Sequence, residues 1–207
     1  MHIDTQQAKD LGADASLIIT PYYVKPPQRA LAKHFLSIAD AVDLPMILYN
    51  CPGRTGVDMK PETVKEVSGH KNIVGIKEAT GDLSRVKLIK ELCGQDFLIY
   101  SGEDDQGCEH CSLGGDGVIS VTANCAPAMM TKMLAASRAG RTKEANDINN
   151  KLQLLHKSLF FESNPIPAKK AMELMGKAEN GIRPPLIELA PEYLPGLKEA
   201  LQENGCI

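Results

Sequence analysis

The chain has 207 residues and a formal net charge of -3, which fits one domain, or one domain with an appendage, around a substantial core. With 5 Tyr, 4 Phe, no Trp and no basic excess, it lacks the cationic, ring-bearing surface that nucleic-acid binding uses. No apolar run approaches the roughly 20 residues of a membrane span, and the polar start MHIDTQQAKDLGADA has no signal-peptide core, so a cytoplasmic protein without nucleic-acid or membrane partners is expected.

Residues 1–12 carry Ala8 and Leu11 ahead of Gly12, the pattern of a helix tail. Strands are predicted at 16–20, 45–49, 73–77, 97–100 and 117–121. They are rich in Ile, Val and Leu without clean alternation, as parallel strands covered on both faces are. Between them, residues 28–42 place Leu31, Phe35, Ile38 and Val42 at helical spacing. Pro61 suits a first helical turn ahead of Val64 and Val67. Asp82 is a candidate cap for a helix holding Leu83, Val86, Ile89 and Cys93, closed by Gly94. After Gly140 no strand interrupts, and helices are predicted at 142–160, 165–174 and 191–204. The expected organisation is an α/β catalytic domain over 1–140 and a small helical domain over 141–207.

Five βα units admit two architectures. A doubly wound sheet normally shows a glycine-rich phosphate turn between a strand and a helix. Here Gly114-Gly115-Asp116-Gly117 precedes a strand instead and suits a helix stop. The alternative is a partial (β/α)₈ barrel, a fold of about 250 residues, with the first three strands absent and two open edges facing water. Six scattered cysteines suit reduced thiols better than a disulfide framework. The one tight pair, Cys108-Glu-His-Cys111, lacks the second pair a zinc ribbon needs and is expected to be ordinary helix, so no metal site is expected.

Lys77 stands out, a lysine at the end of the apolar run IVGIK. Lysine is almost never fully buried unless paired or used. As a Schiff-base nucleophile it must lose its proton, so its free pKa of about 10.4 has to fall by roughly three units, and walls of Ile, Val and Leu would supply the desolvation. Tyr49, one strand away, is the natural proton carrier, and Arg54 on the loop after it offers a planar fork for a carboxylate. Each has a plainer explanation. A strand-end tyrosine packs its ring, a loop arginine is solvated, and a lysine can snorkel to water or pair with Glu78. Their conjunction at the C-terminal ends of adjacent strands is what favours chemistry. Asp104 and Asp105 suit capping of the next helix rather than a carboxylate pair, and the remaining histidines are isolated.

Five segments then carry a resemblance: TPYYVKP at 20–26, LYNCPGRTG at 48–56, GIKEATGD at 75–82, GGDGVISVTAN at 114–124 and ESNPIPAK at 162–169. In their order and spacing they resemble the dihydrodipicolinate synthase family. The resemblance implies a (β/α)₈ barrel with a C-terminal helical domain. It also implies the condensation of pyruvate with aspartate semialdehyde on the diaminopimelate route to lysine. By it, Lys77 forms an imine with pyruvate, Tyr49 relays protons, and Tyr23 is a second relay reaching a neighbouring subunit. Arg54 would bind the semialdehyde carboxylate, Gly102 and Ile119 would line the pyruvate pocket, and Tyr22 would lie at the tight-dimer interface. A homotetramer is implied, with no cofactor beyond the covalent imine on Lys77. The family's GTTGE-like motif has no counterpart in the chain. Two alternatives remain at this point: a sister aldolase acting on N-acetylneuraminate or keto-deoxy sugar acids, and an inactive subunit-binding remnant.

Overall fold

A computed structural model describes residues 1–207. In chain order it contains α1 (His2–Asp10), β1 (Ser16–Ile19), α2 (Gln28–Ala41), β2 (Met46–Asn50), α3 (Pro52–Thr55), α4 (Pro61–Val67), β3 (Ile73–Glu78), α5 (Ser84–Cys93), β4 (Leu98–Ser101), α6 (Gly107–Ser112), β5 (Gly117–Val118), α7 (Pro127–Arg138), α8 (Thr142–Ser158), α9 (Ile166–Leu174) and α10 (Leu194–Glu203). All five strands fall where they were expected. The last is shorter, because the chain after Val118 turns into a 3₁₀ helix at Thr122–Asn124. Asp82 does not head α5 as its cap. Its carboxylate accepts the Ser84 amide at 3.1 Å and the Ser84 hydroxyl at 2.6 Å, which makes a turn just before the helix.

The sheet is parallel throughout and runs β1-β2-β3-β4-β5, so space order equals chain order. A doubly wound sheet reverses its strand order at a switch point, and this one never does. Right-handed crossovers that always step the same way put their helices on one face, which is barrel winding. β1 and β5 each have one neighbour, leaving an arc with two edges.

By contacts the chain divides into two compact units. One is Met1–Glu103 with Leu113–Ile119, and the other is Asp104–Ser112 with Ser120–Ile207. The division therefore comes earlier than the sequence boundary after residue 140, because α6 and α7 pack with α8. In the first unit Leu31, Phe35 and Ile38 of α2 meet Leu48, Ile76 and Ile99 of the sheet, all fully buried. The expectation of strands covered on both faces is corrected here. Along β2 and β4, buried residues alternate with half-exposed ones, and Leu17 on β1 is 45% exposed. The continuous apolar runs had concealed a two-residue period because both faces carry aliphatic side chains.

In the second unit Met133 on α7, Leu152 and Leu155 on α8, and Leu197 and Leu201 on α10 form a separate core. Asp104 ties it to the turn beyond β5, accepting the amides of Val121 and Thr122 at 2.9 Å each, rather than capping a helix. The Thr122 hydroxyl meets His156 Nδ1 at 2.8 Å, so His156, isolated in sequence, is a buried structural group.

Phe35 lies at the centre of the first core with no exposed surface. Phe35→Ala is expected to lower unfolding free energy by about 3–5 kcal/mol, read as a shift in the urea midpoint.

Candidate active site at the C-terminal rim

Lys77 and Tyr49 are Cα partners across β2 and β3, and Tyr100 on β4 continues the row. Partners in a parallel sheet project to the same side. The ammonium nitrogen of Lys77 consequently sits 4.4 Å from the centroid of the Tyr49 ring. Aliphatic side chains share the face of Lys77: Ile47 and Leu98 lie one row back on the flanking strands, with Leu17 and Ile19 beyond them on β1. Ile76, one residue before it, points into the helix layer, and the neighbours in Lys77's own row are two tyrosines. Lys77 is half-buried.

Burial pushes the pKa of the Tyr49 hydroxyl up, and Cys51 and the Glu103 carboxylate push it the same way. The charge of Arg54 opposes them, which brings Arg54 electrically within reach of Tyr49. The phenol therefore keeps its proton at neutral pH and can donate it. Arg54 is exposed on α3, a single turn that opens at Pro52, buries Thr55 and is stopped by Gly56 at φ 73°.

Gly102 and Ile119 complete the rim through their backbones. Gly102 N–H donates to Glu78 O at 2.8 Å, and Ile119 N–H donates to Ser101 O at 3.0 Å. A Cβ at Gly102 would collide with the Cβ of Ala79 and lie 3.2 Å from Lys77 Cε, so glycine is required beside the lysine. Tyr22 and Tyr23, after β1, are 69% and 90% exposed, and Tyr23 takes a left-handed φ of 71°. A ring that exposed packs on nothing in its own chain. The structure thus brings together Lys77, Tyr49, Arg54, Gly102 and Ile119, and leaves the Tyr22-Tyr23 pair projecting. No group of three or more His, Cys, Asp or Glu side chains is arranged to hold a metal ion.

Glu78 is not turned toward Lys77's face. One residue on, it points to the opposite side of β3 and is buried. There it accepts from Asn50 Nδ2 at 3.2 and 3.3 Å, from Thr80 N–H at 2.9 Å and from Arg85 at 3.5 Å. Arg85 in turn grips Asp58 with two bonds of 2.8 and 2.7 Å. Sequence reasoning missed this cluster. Its members lie far apart in the chain, and only the period-two placement of Asn50 and Glu78 one residue beyond Tyr49 and Lys77 signals it.

A lysine and a tyrosine side by side at the C-terminal rim of strands wound in one direction define an enzyme of the β/α-barrel class. Comparison with known proteins makes this particular. Residues 3–204 match the model of the dihydrodipicolinate synthetase family. A 4-hydroxy-tetrahydrodipicolinate synthase from Methylococcus capsulatus is 51% identical over 203 residues, 98% of this chain and 70% of that protein. The enzyme of the same name from Pseudomonas aeruginosa is 52% identical with the same shares covered. Among solved structures, the dihydrodipicolinate synthase of Acinetobacter baumannii, chloride-inhibited and complexed with pyruvate, superposes with a TM-score of 0.96 at 48% identity, over 100% of this chain and 71% of that one. That of Thermotoga maritima also gives 0.96, at 40% identity. The chain belongs to the dihydrodipicolinate synthetase family and is a lyase of lysine and diaminopimelate biosynthesis. These relatives carry the synthase name and none that of a sister aldolase, so the sister-aldolase alternative is not favoured. No helix is long and apolar enough to cross a membrane.

The carboxylates of the cluster make a pH signature. For Asp58, burial favours the neutral acid, but hydrogen bonds from Arg85, Lys60 and Asn50 outweigh it and hold the pKa well below the ordinary range. Its stabilisation is present above the unfolded pKa of about 3.9 and is lost as pH falls below it. For Glu78 burial wins and the pKa is raised, so its contribution is fully present below about pH 4.3 and is lost as pH rises. Urea midpoints measured from about pH 3 to 7 should show Asp58→Asn falling further behind the parent as pH rises, and Glu78→Gln gaining on it.

Proposed function

We propose that this chain's chemistry joins pyruvate to L-aspartate 4-semialdehyde through a covalent imine on Lys77, giving 4-hydroxy-tetrahydrodipicolinate. The neutral amine of Lys77 adds to the C2 carbonyl of pyruvate. The carbinolamine loses its hydroxyl as water, and the imine forms. Tyr49, protonated and stacked under the amine, gives the proton that carries the hydroxyl away and takes one back as the imine passes to its enamine. The enamine carbon then attacks the aldehyde carbon of the second substrate, whose oxygen takes a proton to become the 4-hydroxyl, and that substrate's own amine adds to C2, closing the ring and displacing the Lys77 amine. Arg54 pairs with that substrate's carboxylate at the site entrance. Gly102 and Ile119 line the pyruvate end, and the imine is the only cofactor-like group involved. The single observation that carries the reading is the contact of Lys77 with the Tyr49 ring at the rim.

Tyr23 acts as a second proton relay in a neighbouring subunit's site, and Tyr22 packs at the same boundary, within a homotetramer of two tight dimers. The support is the 90% exposure of Tyr23, held outward by a backbone conformation that costs about 1–2 kcal/mol. Six cysteines with no disulfide among them suit a cytoplasmic setting.

Incubation with pyruvate, borohydride reduction and peptide mass spectrometry should place one pyruvate-derived adduct on Lys77, and Lys77→Ala should carry none. An unlabelled Lys77 in the parent chain rejects the imine. In turnover assays Tyr49→Phe is expected to lower kcat by about 10²–10⁴. Arg54→Ala should instead act mainly on KM for the semialdehyde. Sedimentation of a monomer at all micromolar concentrations would refute the tetramer.

A further inference from the structure

The polar cluster behind the site has more connections than simple packing needs. Asp58 is held from three elements at once. Arg85 on α5 grips its carboxylate, Asn50 at the end of β2 donates to Oδ1 at 2.9 Å, and Gln28 on α2 donates to its carbonyl oxygen at 2.7 Å. Asn50 also accepts the Met59 amide at 2.9 Å. The segment leaving β2 is therefore tied down at its first residue and again at residues 58 and 59 by the same side chains. Arg54 lies between those ties, on α3.

The other end of the cluster reaches the reacting pair. Asn50 and Glu78 are Cα partners, directly after the partners Tyr49 and Lys77. The side chains of Arg85 and Glu78 are 12% and 6% exposed. Burying two carboxylates against one guanidinium is a poor route to stability alone, since apolar side chains of the same volume do as well or better. What such a group does supply is direction, because a bidentate fork has one geometry.

We infer that Asp58 and Arg85 are positioning residues for the lysine–tyrosine site: their fork, closed by Asn50 and Glu78, fixes the Arg54 turn and the strand ends bearing Tyr49 and Lys77 in one arrangement. The inference rests on the imine reading of Lys77 and deepens it. Neither residue touches substrate. Both act through the backbone, where a displacement of about 1 Å is enough to lower a rate by about a hundredfold.

The test uses the full chain and its variants Asp58→Asn, Arg85→Gln and Asp58→Glu, each with its melting temperature measured. The first readout is the rate of pyruvate-dependent borohydride labelling at Lys77, per folded chain, across pyruvate concentrations. Asp58→Asn and Arg85→Gln should lower the maximal rate by about tenfold or more. The half-saturating pyruvate should move by less than about twofold. Asp58→Glu, which keeps the fork's acceptor, should recover most of the loss. Unchanged labelling in variants with lowered melting temperatures overturns the inference, because a merely structural role moves only the latter. So does an Asp58→Glu variant no better than Asp58→Asn. The second readout is acetylation of Lys77 by acetic anhydride without pyruvate. Should the parent chain take no pyruvate label, the imine reading fails by itself, and acetylation decides the positioning. A changed Lys77 acetylation rate in Asp58→Asn and Arg85→Gln supports it, and parental rates overturn it.

Discussion

The parallel register between β2 and β3 is the constraint from which the rest follows. Tyr49 stands beside Lys77, and Asn50 beside Glu78. Because side chains alternate along a strand, that one register puts an amine and a phenol on one face and an amide and a carboxylate on the other. A slip of one residue would turn Lys77 into the helix layer and leave Glu78 on the open face. Register is held tightly where one face is buried, and here Leu48, Ile76 and Ile99 hold it against α2 and its neighbours.

The two faces therefore divide the labour of the first unit. The helix-side face is dry and supplies stability and rigidity, through aliphatic contacts and through the Arg85 cluster at the rim. The other face is half-exposed, with Tyr49 and Tyr100 beside Lys77 in its own row and Ile47 and Leu98 in the row behind. The phenol beside Lys77 is held protonated by its burial, with the charge of Arg54 opposing. Gly102 adds a steric condition: only the absence of a Cβ leaves room between Ala79 and the lysine stem.

Much of this was legible in the chain. The five strands, the helices beginning at Pro61 and Thr142, and the placing of Lys77, Tyr49 and Arg54 at strand ends all follow from local patterns of apolar spacing and of Pro and Gly punctuation. The one-sided burial did not, because aliphatic residues on both faces hide the period that separates them. The Arg85–Asp58 fork and the buried Thr122–His156 contact were also invisible. Their partners are 27 and 34 residues apart, and nothing in a linear spacing distinguishes an arginine that will be buried from one that will be solvated. The contact units differ from the division read at residue 140 for a related reason. Residues 104–112 and 120–139 belong by sequence rhythm to the strand–helix alternation, yet they pack with the later helices.

The sequence by itself determined the α/β class, the order of the strands and the family, because these rest on local periodicity and on contiguous motifs such as GIKEATGD. Only the tertiary structure decided that the winding never reverses, that Lys77 lies over Tyr49, and that Glu78 faces Arg85 instead of the lysine. Those outcomes depend on which strands become neighbours and in what register, and that is set by the burial of side chains many residues apart.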